Sequence, residues 1–146
     1  MRLSKKAEYG LRALAVMARG RKSWSIQELS DAEHIPAKFL EQILLSLRHA
    51  GLLTSRRGMM GGYSLAKAAS EITVGDIIRS LDGPIALVPC ASERPSEPCS
   101  CPDPATCPVR QIMTAFRQET MAWLDSRSLE DMARLSPGQG TLAFEI

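Results

Sequence analysis

Between Ser25 and Leu65 the chain sets two short helical patterns, a glycine stop, and two apolar runs around a glycine-rich basic loop. Few folds accept that order of elements. Ser25 followed by Glu28 forms a capping box, so a short helix is expected to start near Ile26, carry Leu29 inward and end by His34. Ile35-Pro36 makes a tight joint in which Pro36 suits a first helical position, where its missing N–H leaves nothing unpaired. A second helix follows. Phe39, Leu40, Ile43, Leu44 and Leu47 recur at helical spacing, which leaves Lys38, Glu41, Gln42, Leu45, Arg48 and His49 for the other face or its flanks. Gly51 is the stop.

Leu52–Arg56 and Gly62–Leu65 are short enough to be strands, with 57–61 as the loop of a hairpin. The pattern predicts a winged helix-turn-helix: mainly α, with a small β-hairpin wing. In such a unit the second helix offers polar side chains to a DNA major groove. Arg56, Arg57 and Gly58 at the hairpin tip then meet the adjacent backbone or minor groove.

Charge supports that polarity. From Met1 to Lys67 twelve Lys/Arg stand against five Asp/Glu, a balance of +7, whereas from Ala68 onward six stand against eleven, a balance of −5. Cations brought close to phosphates add their attractions, so the amino-terminal half is the half expected to meet double-stranded DNA. Ahead of the hairpin module, Ala7, Leu11, Leu14, Ala15 and Ala18 mark a first helix from a Ser4 cap to Ala18. Its start, with Lys5 and Tyr9, is suited to lie beside the DNA backbone.

Lys67 to Glu71 reads as a linker, and Thr73 with Asp76 starts another helix whose Val74, Ile77, Ile78 and Leu81 share one face. It closes at Asp82-Gly83-Pro84. Residues 1–83 are thus expected to form the DNA-binding domain. Val109, Ile112, Met113, Phe116, Thr120, Trp123 and Leu124 mark a long amphipathic helix from about Pro108 to Ser126. A stripe that strong is best covered by its copy in a homodimer, which would set two recognition helices roughly 34 Å apart. A short helix over Ser128–Leu135 completes the 109–135 segment, and 136–146 reads as a tail.

Residues 84–108 differ in composition, holding most of the chain's prolines and all four cysteines, spaced Cys90-x8-Cys99-x-Cys101-x5-Cys107. Disulfides would need an oxidising compartment, although a reversible redox pair, Cys99–Cys101 or Cys90–Cys107, stays open. Structural zinc usually shows a Cys-x2-Cys pair at each end, and that spacing is missing. Iron–sulfur ligation tolerates irregular loops with proline beside the cysteines. No apolar run reaches membrane-spanning length and no signal-peptide core opens the chain, so a cytoplasmic protein without a membrane partner is expected. Two histidines, no nucleophile motif and no phosphate-cradling loop argue against an enzyme.

Several stretches together carry a family resemblance. They are Met1-Arg2-Leu3-Ser4-Lys5 with Glu8-Tyr9-Gly10-Leu11, then Phe39-Leu40-Glu41-Gln42-Ile43-Leu44, then Arg57-Gly58 with Gly61-Gly62-Tyr63, and Ile72-Thr73-Val74-Gly75-Asp76-Ile77. From Met1 to about Leu124 the chain resembles the Rrf2 family of winged-helix regulators, which includes IscR, NsrR and RirA. The resemblance implies a homodimeric transcription factor on palindromic operators, with a 2Fe-2S or 4Fe-4S cluster near the dimer interface. It implies that Glu41 faces the groove and helps discriminate bases, and that Arg57 enters the minor groove. Cys90, Cys101 and Cys107 match the usual three ligands. The fourth is Cys99, or Glu8 supplied by the partner subunit; where some members carry a histidine three residues after the last cysteine, this chain has Arg110, which cannot ligate. The expected function is a regulator whose promoter affinity follows a cluster sensing iron, nitric oxide or redox state. The alternative is a metal-free thiol switch.

Overall fold

The computed structural model describes residues 2–20, 22–95 and 97–135. Helix α1 (Lys5–Gly20) begins where the Ser4 hydroxyl accepts the Ala7 N–H at 3.0 Å, and it runs two residues past the expected end. Its buried face is Ala7, Gly10, Ala13, Leu14 and Met17, mostly small side chains that let neighbouring helices come close. A Cβ on Gly10 would stand 2.3 Å from Leu81 Cδ1, so that glycine lets Leu81 pack close against α1. In α2 (Ile26–Glu33) the capping box is formed as read: Glu28 N–H donates to Ser25 Oγ at 3.1 Å, and Ser25 N–H to the Glu28 carboxylate at 2.8 Å. His34 ends it in a left-handed conformation with φ 53°.

Helix α3 (Ala37–His49) starts one residue later than expected. Pro36 is its N-cap, at φ −55° and ψ 127°, and not its first helical residue, because its carbonyl already accepts from Leu40 N–H at 2.9 Å while its own ψ stays extended. At the far end Gly51 takes φ 76°, and the N–H groups of Leu52 and Gly51 return to the carbonyls of Leu47 and Arg48, both at 3.0 Å. That pairing is a Schellman motif, and it turns the chain into the wing.

Strands β1 (Leu53–Arg56) and β2 (Gly62–Leu65) pair antiparallel, with Leu53 opposite Leu65 and Arg56 opposite Gly62. Trp24 adds a bridge on the open side of β2, exchanging backbone hydrogen bonds with Tyr63 at 2.8 and 2.7 Å. The Lys67–Glu71 linker contains a 3-10 turn over Ala69–Glu71. Helix α4 (Val74–Asp82) then starts at the Thr73/Asp76 box and ends at Gly83.

A Pro-rich loop with one 3-10 turn (Pro89–Ala91) leads into α5 (Pro108–Asp125) and α6 (Leu129–Arg134). Helix α6 closes the amino-terminal core. Leu129 is fully buried in the same cluster as Leu14, Leu40, Leu44 and Ile72, and its N–H donates to Ile72 carbonyl oxygen at 2.7 Å. At about 27 Å, α5 is the longest helix described, yet Met121 is its one buried residue among the described side chains. Much of the stripe read from the sequence stands in solvent: Val109, Ile112, Phe116 and Trp123 are exposed, while Met113, Thr120 and Leu124 are half-buried. The expected tail lies outside the described residues. No helix among those described is long and apolar enough to cross a membrane.

Candidate nucleic-acid interface and cysteine loop

Burying Leu40, Ile43, Leu44 and Leu47 forces the opposite side of α3 outward, and Lys38, Glu41, Gln42, Leu45, Arg48 and His49 are all exposed. Arg48 turns toward the hairpin, where its guanidinium donates to Ser55 Oγ at 3.1 Å and ties the end of α3 to β1. Beyond it Arg56, Arg57 and Gly58 stand clear on the wing. The start of α1 joins the same surface through Tyr9. Its ring meets Phe39 of α3 edge-on at 5.7 Å, while the Lys5 ammonium and Arg12 guanidinium lie 5.6 and 5.4 Å from its centroid. Lys5, Tyr9 and the start of α3 are therefore neighbours, a relationship that spacing within either helix does not contain.

Glu8 pairs with Lys5 at 2.7 Å and, more loosely, with Arg12 at 4.0 Å. The Lys5 hydrogen bond holds its carboxyl below the usual carboxylate range. Glu8 also lines a groove of about 1180 Å³ between the start of α1, the end of α4 and α5, walled by Ile78, Leu81, Ile85, Trp123 and Leu124.

The four cysteines are half-buried and free. Cys107 is the N-cap of α5, with Pro108 in the first turn, and the backbone N–H groups of Arg110 and Val109 draw its pKa down. Cys101 Sγ lies 3.4 Å from Cys107 Sγ, and Cys101 N–H donates to Cys99 Sγ at 3.4 Å. Hydrogen bonding to Cys99 first and Cys107 second pushes Cys101 up to about 12. The five-residue gap before Cys107 is shaped by Asp103, which accepts from Ala105 N–H at 3.0 Å and Thr106 hydroxyl at 2.7 Å. Of the two thiol pairs read from the sequence, Cys99 and Cys101 are hydrogen-bonded neighbours, and a further pair not anticipated there, Cys101 and Cys107, brings its sulfurs to 3.4 Å.

Four thiols in one proline-flanked loop are a donor set suited to iron–sulfur ligation. Among the described residues no three Cys, His, Asp or Glu side chains are grouped so as to hold a metal ion, so a single-ion site of the zinc type is not preformed. An iron–sulfur cluster takes its thiolates one or two to an iron, so it would not need three of them grouped about a single ion. Cys90, Cys99, Cys101 and Cys107 remain the residues able to hold such a group.

A family model described as an iron-dependent transcriptional regulator matches residues 3–135. The chain belongs to the Rrf2 family. An Rrf2-like HTH-type transcriptional regulator of Rhodobacter capsulatus is 38% identical over 136 residues, spanning 89% of this chain and 91% of that one. The solved structure of CymR (YrzC), named as the global cysteine regulator of B. subtilis, superposes with a TM-score of 0.75 at 34% identity, covering 94% of this chain and 99% of that one. The T. potens IscR structure follows at 0.70 and 28%, covering 94% of each chain. The molecule is thus a winged-helix, DNA-binding transcriptional regulator of the Rrf2 family, and its relatives are regulators and not enzymes.

Within that Rrf2 frame three contacts had no local signal in the sequence. Asp82 binds Ser4, 78 residues away. Arg79 grips Asp125 of α5 with two hydrogen bonds, at 2.8 and 3.1 Å. Arg117 of α5 holds Glu93 of the cysteine loop at 2.6 Å. Arg79–Asp125 joins α5 to the DNA-binding half, Arg117–Glu93 joins α5 to the cysteine loop, and Asp82–Ser4 ties the end of α4 to the start of α1. For the two ion pairs only the opposite charges were visible beforehand.

Proposed function

We propose that this regulator binds palindromic operators as a homodimer in the cytoplasm, and that an iron–sulfur cluster on its cysteine loop sets the affinity. Cys90, Cys101 and Cys107 would hold the cluster, with Cys99 or the partner's Glu8 completing it. Supporting this is one observation above others: Cys101 touches both Cys99 and Cys107 at the head of α5, although nothing in their spacing required it. The family's description as iron-dependent and the likeness to an IscR point the same way. Dimerisation accounts for the bare part of the α5 stripe and the apolar groove beside it, which a second copy of α5 would fill.

A bound cluster would supply a one-electron couple and a reactive target for oxygen or nitric oxide. The chain's own residues carry the consequence to DNA. The cysteine loop leaves α4 at Gly83, directly after Asp82, and Asp82 fixes Ser4 at the start of α1, one residue before Lys5. Glu93–Arg117 and Arg79–Asp125 tie the same loop and α5 to the core. Loosening the loop therefore bears on the helix start that lies beside Tyr9 and α3. A bias of about 1–3 kcal/mol between two dimer arrangements changes DNA affinity about 5–150-fold. Anaerobic purification followed by absorption spectroscopy and promoter binding tests the reading. Expected are visible absorption, stoichiometric iron, and a shift in affinity on cluster removal; equal binding by holo and apo protein to every promoter fragment would refute it.

The second reading is a thiol switch, favoured by the 3.4 Å separation of Cys101 and Cys107 and by a relative named as a cysteine regulator. Two thiols and hydrogen peroxide would give a disulfide and two waters. Colourless, iron-free anaerobic protein that loses two hydrogens on peroxide treatment would select it.

A further inference from the structure

The tip of the wing carries the most exposed apolar side chains described. Met59 and Met60 stand at 104% and 93% relative exposure, well above any other large hydrophobic residue described. Their presentation is fixed by the backbone. Gly61 N–H donates to Gly58 carbonyl oxygen at 3.0 Å, so the two methionines hold the central positions of a tight turn. Gly58 sits at φ 107°, and a Cβ on Gly61 would stand 2.3 Å from Arg56 carbonyl oxygen, so only glycines close the hairpin this tightly. The turn leaves both thioethers no interior to enter. They stand at the apex beyond Arg56 and Arg57, on the basic half of the chain, on the hairpin that Arg48 of α3 holds through Ser55.

Two long, uncharged side chains at the apex of a cationic hairpin add nothing to attraction for phosphate. What they can read is the floor of a groove. With α3 in a major groove, the hairpin beside it meets the neighbouring minor groove, where A·T pairs show only acceptors and G·C pairs add the guanine amino donor. A thioether is a weak acceptor, so burying that amino group against methionine leaves a donor poorly satisfied. Methionine is among the apolar side chains that proteins insert into minor grooves.

Resting on the promoter-binding reading above, we propose that Met59 and Met60 are an apolar minor-groove probe that makes the regulator select A·T steps flanking each half-site. Arg57 supplies charge there and the methionines supply sequence preference. The two contributions separate by measurement, because only the first depends on salt.

The test begins with in vitro selection from a randomised duplex library by the full-length, anaerobically purified protein. In the enriched duplex, flanking adenines are then replaced by 2,6-diaminopurine, which adds a minor-groove amino group and leaves the major-groove edge unchanged. Wild-type protein is expected to bind the substituted duplex about tenfold more weakly. The M59Q/M60Q variant should lose that penalty while keeping the salt slope, and M59L/M60L should retain it. Equal binding of both duplexes by the wild type overturns the proposal. So does an equal penalty in M59Q/M60Q, and so does a uniform loss with a shallower salt slope, which would make the tip a phosphate contact. If the wild type enriches no duplex at all, the promoter-binding reading fails and takes this inference with it.

Discussion

The carboxylate of Asp82, at the end of α4, takes two hydrogen bonds from Ser4, one from its N–H at 3.0 Å and one from its hydroxyl. That hydroxyl in turn accepts the Ala7 N–H, so one acidic side chain orients the cap of α1. The residues that follow Asp82 open the cysteine loop, and the residue that follows Ser4 is Lys5. Asp82→Ala is expected to lower stability by about 1 kcal/mol, the usual worth of a cap interaction. It should also shrink the difference in DNA affinity between cluster-loaded and cluster-free protein. Urea titration with promoter binding measures both, and an unchanged midpoint with an unchanged affinity ratio would remove Asp82 from the connection.

Gly75 lies where α4 passes α5. A Cβ there would stand 1.9 Å from Asp125 Oδ1, inside the Arg79–Asp125 pair. Gly75→Ala should therefore push the Asp125 carboxylate off Arg79 and cost at most about 1 kcal/mol, the worth of an exposed ion pair, offset in part because alanine is the better helix former. The cost should fall when Asp125 is also replaced by alanine, since the two changes act on one contact. Additive losses in denaturation would show that the strain lies elsewhere.

The capping boxes make acid stability predictable. Lys22 first, and Ser25 N–H second, hold the Glu28 carboxyl down at about 2 from its ordinary 4.5. Asp131 is lowered in the same direction by the Ser128 N–H and hydroxyl. Groups lowered in the folded state stabilise it fully above their unfolded pKa and lose that contribution as pH falls through the folded value. Melting temperature should thus drop progressively between about pH 4.5 and about pH 2, and Glu28→Gln should flatten the part due to α2. A profile identical to wild type would show that Glu28 does not titrate with folding.

How much of this was legible follows from how local each device is. The boxes at Ser25/Glu28 and Thr73/Asp76 and the face of α3 are set within one or two turns, and the sequence displays them. Pro36 differed by one residue because a proline fits both sides of a helix boundary. Leu129 was invisible as a core residue: its helix is six residues long, too short to show a period, and its place depends on Ile72 and α1. The contact of Cys101 with Cys107 depends on the Asp103 turn, which spacing alone does not encode.

Arg57 stands exposed on the wing, with no side-chain hydrogen bond or ion pair among the described residues. Arg57→Ala should leave stability unchanged, weaken DNA binding across sequences, and reduce the slope of log affinity against log salt by about 1. Filter binding over a salt series checks this. An unaltered slope would place Arg57 outside the phosphate footprint and leave Arg56 and Lys38 as the remaining candidates on that face.

The fourth cluster ligand divides into two outcomes with different structural costs. Cys99 already touches its neighbour, since Cys101 N–H donates to its sulfur, so it could ligate without help from a second chain. Glu8 is held by Lys5 and Arg12 in its own chain, and reaching a partner's cluster would break a 2.7 Å ion pair at the very start of the DNA-proximal helix. Cys107→Ala should abolish visible absorption in either case. If Cys99 is the ligand, Cys99→Ala should lose most of the iron and Glu8→Gln should keep it; if Glu8 is, the pattern reverses and Glu8→Gln should also uncouple DNA affinity from the cluster. Full iron in the Cys99→Ala, Glu8→Gln double variant would exclude both residues and point to a fourth ligand from outside the chain.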